Sequence, residues 1–267
     1  MKYQEAVKLY EQGKYAKALV LFDDLGSKYR GRAEAEDLFY LTAYANYKMK
    51  DYTSARYQFK NFANTYPSSP RAEECRYMAA YCYYIESPRS NLDQENTRKA
   101  IDELQLFVNY HPDSERAKEA GDLIQNLRDK LEKKAFDNAK LYYNMGLSDD
   151  YRAAVIALEN VLKDFPDTRY AEDIELLMLK SQYAFADNSY PHRQEQRFND
   201  AIDYYNSFIE HHPNSKFRKE ADDLKNSADK KIIAAIRRMK EINKQIDEQN
   251  KELGVTAKEA NAEESKN

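Results

Sequence analysis

Tyrosine recurs at one spacing in two neighbouring stretches of the chain. Phe39-Tyr40-Leu41-Thr42-Ala43-Tyr44-Ala45-Asn46-Tyr47 aligns with Arg76-Tyr77-Met78-Ala79-Ala80-Tyr81-Cys82-Tyr83-Tyr84, setting Tyr40 against Tyr77, Tyr44 against Tyr81 and Tyr47 against Tyr84. Positions i, i+4 and i+7 share one face of an α-helix, so each trio makes a ladder of phenol rings. Tyr3 and Tyr10 fall in register with the outer rungs. A phenol offers an apolar body and a polar tip at low entropy cost, which suits a surface that takes extended peptides carrying aromatic side chains. Packing between helices is the competing role, and with 23 tyrosines in the chain some must fill it. Later in the chain the matching places hold Leu176, Lys180 and Tyr183, so the ladder fades.

Catalysis has no comparable signature. It needs a base or nucleophile held by partners in a pocket, and the sequence supplies neither that motif nor a Gly-rich phosphate loop. His111 and His212 each precede a proline that ends a helix, and His211 and His212, being adjacent, are expected to point to different sides of a helix end. That geometry does not hold a metal. Asp23-Asp24 and Asp149-Asp150 read as solvated charge near turns. No enzyme activity, cofactor or metal is expected. Cys75 and Cys82 lie seven residues apart, which on a helix separates their Cα atoms by roughly 10 Å and forbids a bond between them. They read as small apolar residues in a helix seam.

The ladder needs helices to hold it, and an internal repeat provides them. Tyr15/Ala18/Phe22/Leu25, Tyr52/Ala55/Phe59/Phe62/Pro67, Thr97/Ala100/Leu104/Phe107/Pro112, Tyr151/Ala154/Leu158/Val161/Pro166 and Phe198/Ala201/Tyr205/Phe208/Pro213 share one pattern. The small Ala lets a neighbouring helix approach, the large residues fill the seam, and the Pro stops the helix. With only 6 Gly and 7 Pro and no alternating apolar pattern, this predicts an all-α chain. The expected architecture is a right-handed superhelical solenoid of five helix-turn-helix repeats with a long C-terminal helix, the first helices lining its concave face. Charged residues are 33% of the chain but the net charge is −4, which gives no reason to expect nucleic acid. No stretch reaches the roughly 20 apolar residues that span a bilayer.

Helices are expected over Lys2–Gln12, Tyr15–Tyr29, Ala33–Met49, Tyr52–Tyr66 and Arg71–Glu86, with Gly13 as a left-handed C-cap. Four corners, Pro67-Ser68-Ser69, Pro112-Asp113-Ser114, Pro166-Asp167-Thr168 and Pro213-Asn214-Ser215, place a hydroxyl ready to cap the next helix. Two inserted loops break the spacing, Ser87–Gln94 and Asp187–Gln196, and make Arg89, Leu92, Asp93, Gln94 and Arg193 candidate partner contacts. Glu115–Met145 reads as one long helix or two in continuation. Beyond Ser215 the pattern stays helical to about Leu253, with Ile232, Ile236, Met239, Asn243, Ile246, Asn250 and Leu253 at coiled-coil spacing. That run is either a cap on the last repeat or a seat for a partner helix. The expected division is 1–113 as a substrate-side array, 114–253 as a partner-docking array, and 254–267 as a disordered tail.

The repeats resemble tetratricopeptide repeats. From Lys2 to about Lys225 the chain resembles the BamD (YfiO-like) outer-membrane assembly lipoproteins in their Bacteroidetes form. The likeness rests on the five repeats, the corner Tyr29-Arg30-Gly31, the helix Ala79-Ala80-Tyr81-Cys82-Tyr83-Tyr84, and the insert running from Ser87-Pro88-Arg89 through Leu92-Asp93-Gln94 to Thr97. The resemblance implies a non-enzymatic component of the machinery that inserts β-barrel proteins into the outer membrane. It implies docking on a BamA-like barrel protein, contact with other lipoproteins of the machine, and capture of unfolded outer-membrane protein substrates by the N-terminal repeats. The peptide groove would be Tyr40, Tyr44, Tyr47, Tyr77, Tyr81 and Tyr84. Family members sit at the periplasmic face of the outer membrane on a lipidated N-terminal Cys. No such Cys stands upstream of Tyr3, so the anchor is expected from outside this stretch. A Tol-Pal-associated periplasmic repeat protein and a peptide-binding co-chaperone are the alternative readings.

Overall fold

The computed structural model describes residues 2–26, 28–29 and 34–252, and these form helices and short connections with no strand. The helices are α1 (Lys2–Glu11), α2 (Tyr15–Gly26), α3 (Glu34–Lys48), α4 (Tyr52–Thr65), α5 (Ala72–Glu86), α6 (Glu95–Tyr110), α7 (Glu115–Met145), α8 (Ser148–Asp164), α9 (Ala171–Asp187), α10 (Pro191–His211) and α11 (Arg218–Glu252). Arg30 and Gly31 of the first corner, Leu253 and the segment 254–267 lie outside the described residues.

Two compact units divide the chain, 1–134 and 135–267. The division falls inside α7, whereas the sequence pattern sets it at the corner after residue 113. Pro112 ends α6, but the packing continues past it, because Ala120, Ile124 and Leu127 of α7 still cover the core built by α4, α5 and α6.

In the first unit α1/α2, α3/α4 and α5/α6 are helical hairpins. The repeated alanines Ala18, Ala55 and Ala100 are fully buried, beside Phe22, Phe59 and Leu104. The same pattern closes the second unit, where Ala154 and Ala201 are buried with Leu158 and Phe208. An Ala at that position leaves no side chain beyond Cβ to hold the next helix away, so the large apolar residue one or two turns later reaches the shared core.

The hairpin turns repeat in detail. Gly13 adopts φ 71° and Lys50 adopts φ 63°. In the first turn Gly13 N–H bonds Tyr10 O at 2.9 Å and Lys14 N–H bonds Leu9 O at 2.9 Å; in the second, Lys50 N–H bonds Tyr47 O and Asp51 N–H bonds Asn46 O, both at 3.0 Å. This is the left-handed termination that satisfies orphan carbonyls, made once by Gly and once by Lys. Asp51 then caps α4, its Oδ1 accepting from Ser54 N–H at 3.0 Å.

The Pro corners also repeat. Tyr66, His111, Phe165 and His212 close their helices at φ between −124° and −132°, and each N–H bonds the carbonyl four residues back. A residue before Pro is driven out of the helical region, which fixes this exit. The hydroxyls of Ser69, Ser114, Thr168 and Ser215 each accept from the N–H two residues on, at 2.9–3.2 Å. They organise the turn that leads into the next helix: Ser114 directly precedes α7, at the N-cap as expected, whereas Ser69, Thr168 and Ser215 stand three residues ahead of the first residue of their helices.

Candidate peptide-binding face

The two tyrosine trios are carried by α3 and α5, and each leans on the second helix of its own hairpin. Tyr44 meets Phe59 edge-on at 4.9 Å and Tyr40 meets Phe62 at 5.8 Å, while Tyr77 meets Phe107 at 5.4 Å. Rings also touch along each helix: Tyr40–Tyr44 at 4.8 Å, Tyr44–Tyr47 at 6.3 Å, Tyr77–Tyr81 at 5.8 Å and Tyr81–Tyr84 at 5.7 Å. The six side chains therefore do form two continuous ladders, but one side of each is spent on the core.

The upper rungs are structural. Glu74 of α5 accepts from the Tyr40 hydroxyl at 2.9 Å, from the Tyr44 hydroxyl at 2.7 Å and from Arg116 Nη2 at 3.3 Å, joining α3, α5 and α7 through one carboxylate. Burial, with the bond to Glu74, raises the Tyr44 phenol far above its usual value, and burial pushes Tyr40 up to about 12. Tyr77 is only 3% exposed. Burial raises its phenol too, helped by the nearby Glu119. These three side chains stay neutral phenols and hold helices together.

The lower rungs differ. Tyr47, Tyr81 and Tyr84 are half-buried, and among the described residues no side chain bonds their hydroxyls. Tyr81 and Tyr84 stack with ring planes 18° apart, and Tyr47 packs on Tyr52 at 5.8 Å. Burial lifts the phenols of Tyr47 and Tyr81, and each also feels Tyr52. Tyr47, Tyr52, Tyr81 and Tyr84 thus make a patch of aromatic faces with polar tips left to solvent. Such a patch can cover an apolar side chain and still offer hydrogen bonds to a peptide backbone.

A clamp that the sequence reading missed keeps α3 and α5 in register. Ser69 Oγ donates to Glu36 at 2.6 Å and Arg71 Nη1 to Asp37 at 2.5 Å; one repeat later Ser114 Oγ donates to Glu73 at 2.5 Å and Arg116 reaches Glu74. Arg71 also lies over the Tyr40 ring at 4.6 Å and Arg116 over Tyr77 at 5.1 Å. The signal was present as Ser-x-Arg in the corners facing Glu36-Asp37 and Glu73-Glu74 in the helices. It is visible only when residues 33 to 42 positions apart are paired.

The inserted segments sort their residues as follows. Arg89 and Asp93 are exposed, and Leu92 is 54% exposed. Gln94 is 1% exposed and is the frame of the loop: its Nε2 bonds the carbonyls of Arg89 (2.8 Å) and Leu92 (2.9 Å), and its Oε1 accepts from Thr97 Oγ1 at 2.7 Å. The expectation of Gln94 as a contact residue is corrected by this burial. Lys134 bonds the Leu92 carbonyl and Lys130 bonds Ser87 Oγ at 2.7 Å, so α7 also pins the loop. The second insert is mostly helix. Asn188-Ser189-Tyr190 is the connection and Pro191 opens α10, because Pro at a helix start loses no needed N–H. Arg193 is exposed on that first turn, not on a loop.

His211 and His212 do not diverge as expected. Both turn to Glu175, at 3.0 and 3.6 Å. His111 and His212 play matching structural parts, packing tilted against Phe107 and Phe208 at 5.3 and 5.4 Å. Cys75 and Cys82 are fully buried in the seam, where burial pushes both thiols up to about 12. In the second unit a hollow of about 640 Å³ opens between α7, α9 and α11, lined by Tyr143, Tyr183, Phe217 and Leu224 together with Lys180, Lys216 and Lys219 and the carboxylates of Glu220 and Asp223.

A family model described as YfiO, outer membrane lipoprotein, matches residues 1–192, and a tetratricopeptide-repeat model matches residues 189–215. No curated protein matches the chain. Among solved structures it is similar to the TPR2AB-domain:pHSP90 complex of yeast Sti1, at 12% identity and a TM-score of 0.37, over 85% of this chain and 97% of that one. It is also similar to a Podosopora anserina putative kinesin light chain with nearly identical TPR-like repeats, at 14% identity and a TM-score of 0.32, over 80% and 96% of the two chains.

Proposed function

The chain belongs to the YfiO family of outer membrane lipoproteins, and from that premise we propose that it is a non-enzymatic scaffold of the β-barrel assembly machinery, held by a lipid anchor at the periplasmic face of the outer membrane. Its first unit receives extended segments of unfolded outer-membrane proteins. Its second unit docks on the BamA-like barrel component.

One observation carries the substrate role. Tyr47, Tyr81 and Tyr84 present ring faces and unbonded hydroxyls, while Tyr40, Tyr44 and Tyr77 are committed to the fold. The six-residue groove expected from the sequence therefore narrows to the lower rungs with Tyr52. An aromatic residue of the bound segment lies on Tyr81 and Tyr84, and the phenol tips bond its backbone. The docking role rests on the second unit's hollow, whose aromatic lining, with Lys216 and Lys219 beside Glu220 and Asp223, suits a segment carrying an apolar side chain flanked by charged groups.

Two measurements test the pair of roles. Fluorescence anisotropy with a labelled peptide copied from a barrel strand, bearing alternating aromatics, reads the first: Tyr81→Ala with Tyr84→Ala weakens binding about tenfold, equivalent to one good aromatic contact, while Tyr44→Phe leaves it unchanged. Equal affinity for all variants sinks the substrate reading. Capture from outer membranes with the chain as bait reads the second. A BamA-like protein recovered by the parent chain and lost with Lys216→Glu/Lys219→Glu supports docking, and recovery unchanged by those substitutions removes the hollow from it.

A further inference from the structure

The last helix is longer than the helix it packs on. α11 has 35 residues and α10 has 21, and the two are joined by the corner at Pro213-Asn214-Ser215. Counting back from that corner sets the start of α10 opposite residue 238 or so, leaving α11 an overhang of about 20 Å, or four turns. One face of α11 packs inward along the shared length through Ala221, Leu224, Ala228, Ile232 and Ala235. At 100° per residue that same face continues as Met239, Ile242 and Ile246, and Ile246 is 47% exposed. The seam read from the sequence runs through Asn243, which stands off to one side and is exposed. The true stripe is therefore more apolar than the one expected, and nothing in this unit's described residues covers its end.

Charge on the overhang identifies what covers it. Residues 237–244 hold Arg237, Arg238, Lys240 and Lys244 against Glu241, whereas residues 245–252 hold Asp247, Glu248 and Glu252 against Lys251. Among the described residues Lys244–Glu248, at 3.7 Å, is the one ion pair in the overhang. A helix that is basic at one end and acidic at the other complements a second copy of itself running the opposite way and repels a copy running parallel. We propose that two chains associate through the α11 overhangs as an antiparallel helical pair, with Met239, Ile242 and Ile246 of both copies forming the buried seam and the basic half of each lying along the acidic half of the other. Four turns per copy give an interface near the lower bound of roughly 1,000 Å² for specific association, so the dimer is weak and reversible.

Sedimentation equilibrium of the full chain from about 5 to about 200 µM tests this. A dimer is expected across that range, loosening as salt rises from about 0.05 to about 0.5 M, because attraction between opposite charges is screened. Ile246→Glu weakens association at least about tenfold, and Lys240→Glu/Lys244→Glu weakens it until Asp247→Lys/Glu248→Lys is added. Circular dichroism of each variant checks that the fold, which lies on the other side of Ala235, is intact. A chain that stays monomeric at the highest concentration overturns the proposal and leaves the stripe to a different partner. A dimer indifferent to Ile246→Glu places the contact elsewhere, and one that tightens with salt excludes the antiparallel arrangement; either result overturns it.

Discussion

Tyr44→Phe removes one oxygen and leaves the ring on Phe59, so it isolates the bond from the Tyr44 hydroxyl to Glu74 Oε1 at 2.7 Å. A hydrogen bond to a charged group contributes about 1.5–3 kcal/mol. The lower end applies here, because Glu74 keeps two further partners, Tyr40 and Arg116, and its side chain is 30% exposed. The expected loss is therefore about 1.5 kcal/mol, or a fall of roughly 3–6 °C in Tm. Glu74→Gln removes the charge from the same junction and should cost somewhat more, since it weakens the links to α3 and α7 together. Because both substitutions disrupt one junction, the double variant should lose about 1 kcal/mol less than the sum of the singles. Urea unfolding followed by circular dichroism, with all four proteins compared at a shared slope, measures the cycle. A Tyr44→Phe loss below about 0.5 kcal/mol, or strict additivity, refutes the claim that the upper rungs hold the repeats together.

Four further outcomes are expected. Tyr40, Tyr44 and Tyr77 have folded-state phenol values above the unfolded value near 10, so their stabilisation is complete below pH 10 and is lost as pH rises through about 12, the folded value of Tyr40; Tyr44→Phe should flatten that alkaline decline in a pH series of urea midpoints, and an unchanged slope would count against it. Cys75 and Cys82, buried with thiols raised to about 12, should resist a thiol reagent at pH 8 in the native chain and react promptly in denaturant; fast native labelling would contradict the packing. Lys50→Gly should raise stability by about 0.5–1 kcal/mol, because Lys holds the left-handed position that Gly fills at residue 13, and a thermal melt reads the sign. Gln94→Ala should cost about 1–3 kcal/mol by removing its bonds to the carbonyls of Arg89 and Leu92 and to the Thr97 hydroxyl, with hydrogen exchange accelerating across residues 87–94.

Helix boundaries were legible wherever a breaker or cap marks them. Gly13, Asp51 and the four prolines end or start helices at the places their chemistry demands, and of the two readings of Glu115–Met145, one helix or two in continuation, the structure takes the single helix because no residue in it stops one. The second insert was misread because its polar residues, His192-Arg193-Gln194-Glu195-Gln196, lack an apolar face yet follow a Pro that opens a helix. In a short helix start, backbone geometry outweighs apolar periodicity. The α11 seam was misassigned by one helix position, choosing Ile236 and Asn243 over Ala235 and Ile242. The buried side is set by where α10 lies, and small alanines give a weak apolar signal.

The tyrosine ladder shows where spacing stops being informative. All six positions satisfy the same i, i+4, i+7 rule, yet Tyr44 and Tyr84 do opposite things. What separates them is the reach of a single carboxylate. Glu74 lies in the first turn of α5, close enough to take the hydroxyls of Tyr40 and Tyr44 from α3, while Tyr47 stands a further turn along and Tyr81 and Tyr84 lie on Glu74's own helix, all beyond its bonds. An acid at residue 74 consumes the polar tips at one end of the ladder and leaves those at the other end to solvent. Which half of the ladder keeps its hydroxyls unbonded, the half proposed to take peptide, is thus set by a residue outside it, paired across 30 and 34 positions of sequence. Moving that carboxylate should move the site: Glu74→Ala should free the Tyr40 and Tyr44 hydroxyls for a bound peptide while loosening the clamp that Arg116 makes from α7. The variant is expected to bind the aromatic peptide over a longer face and to fold less stably. A loss of stability with no change in the peptide's footprint, read by tyrosine-selective chemical shift changes, would restrict Glu74 to its structural role.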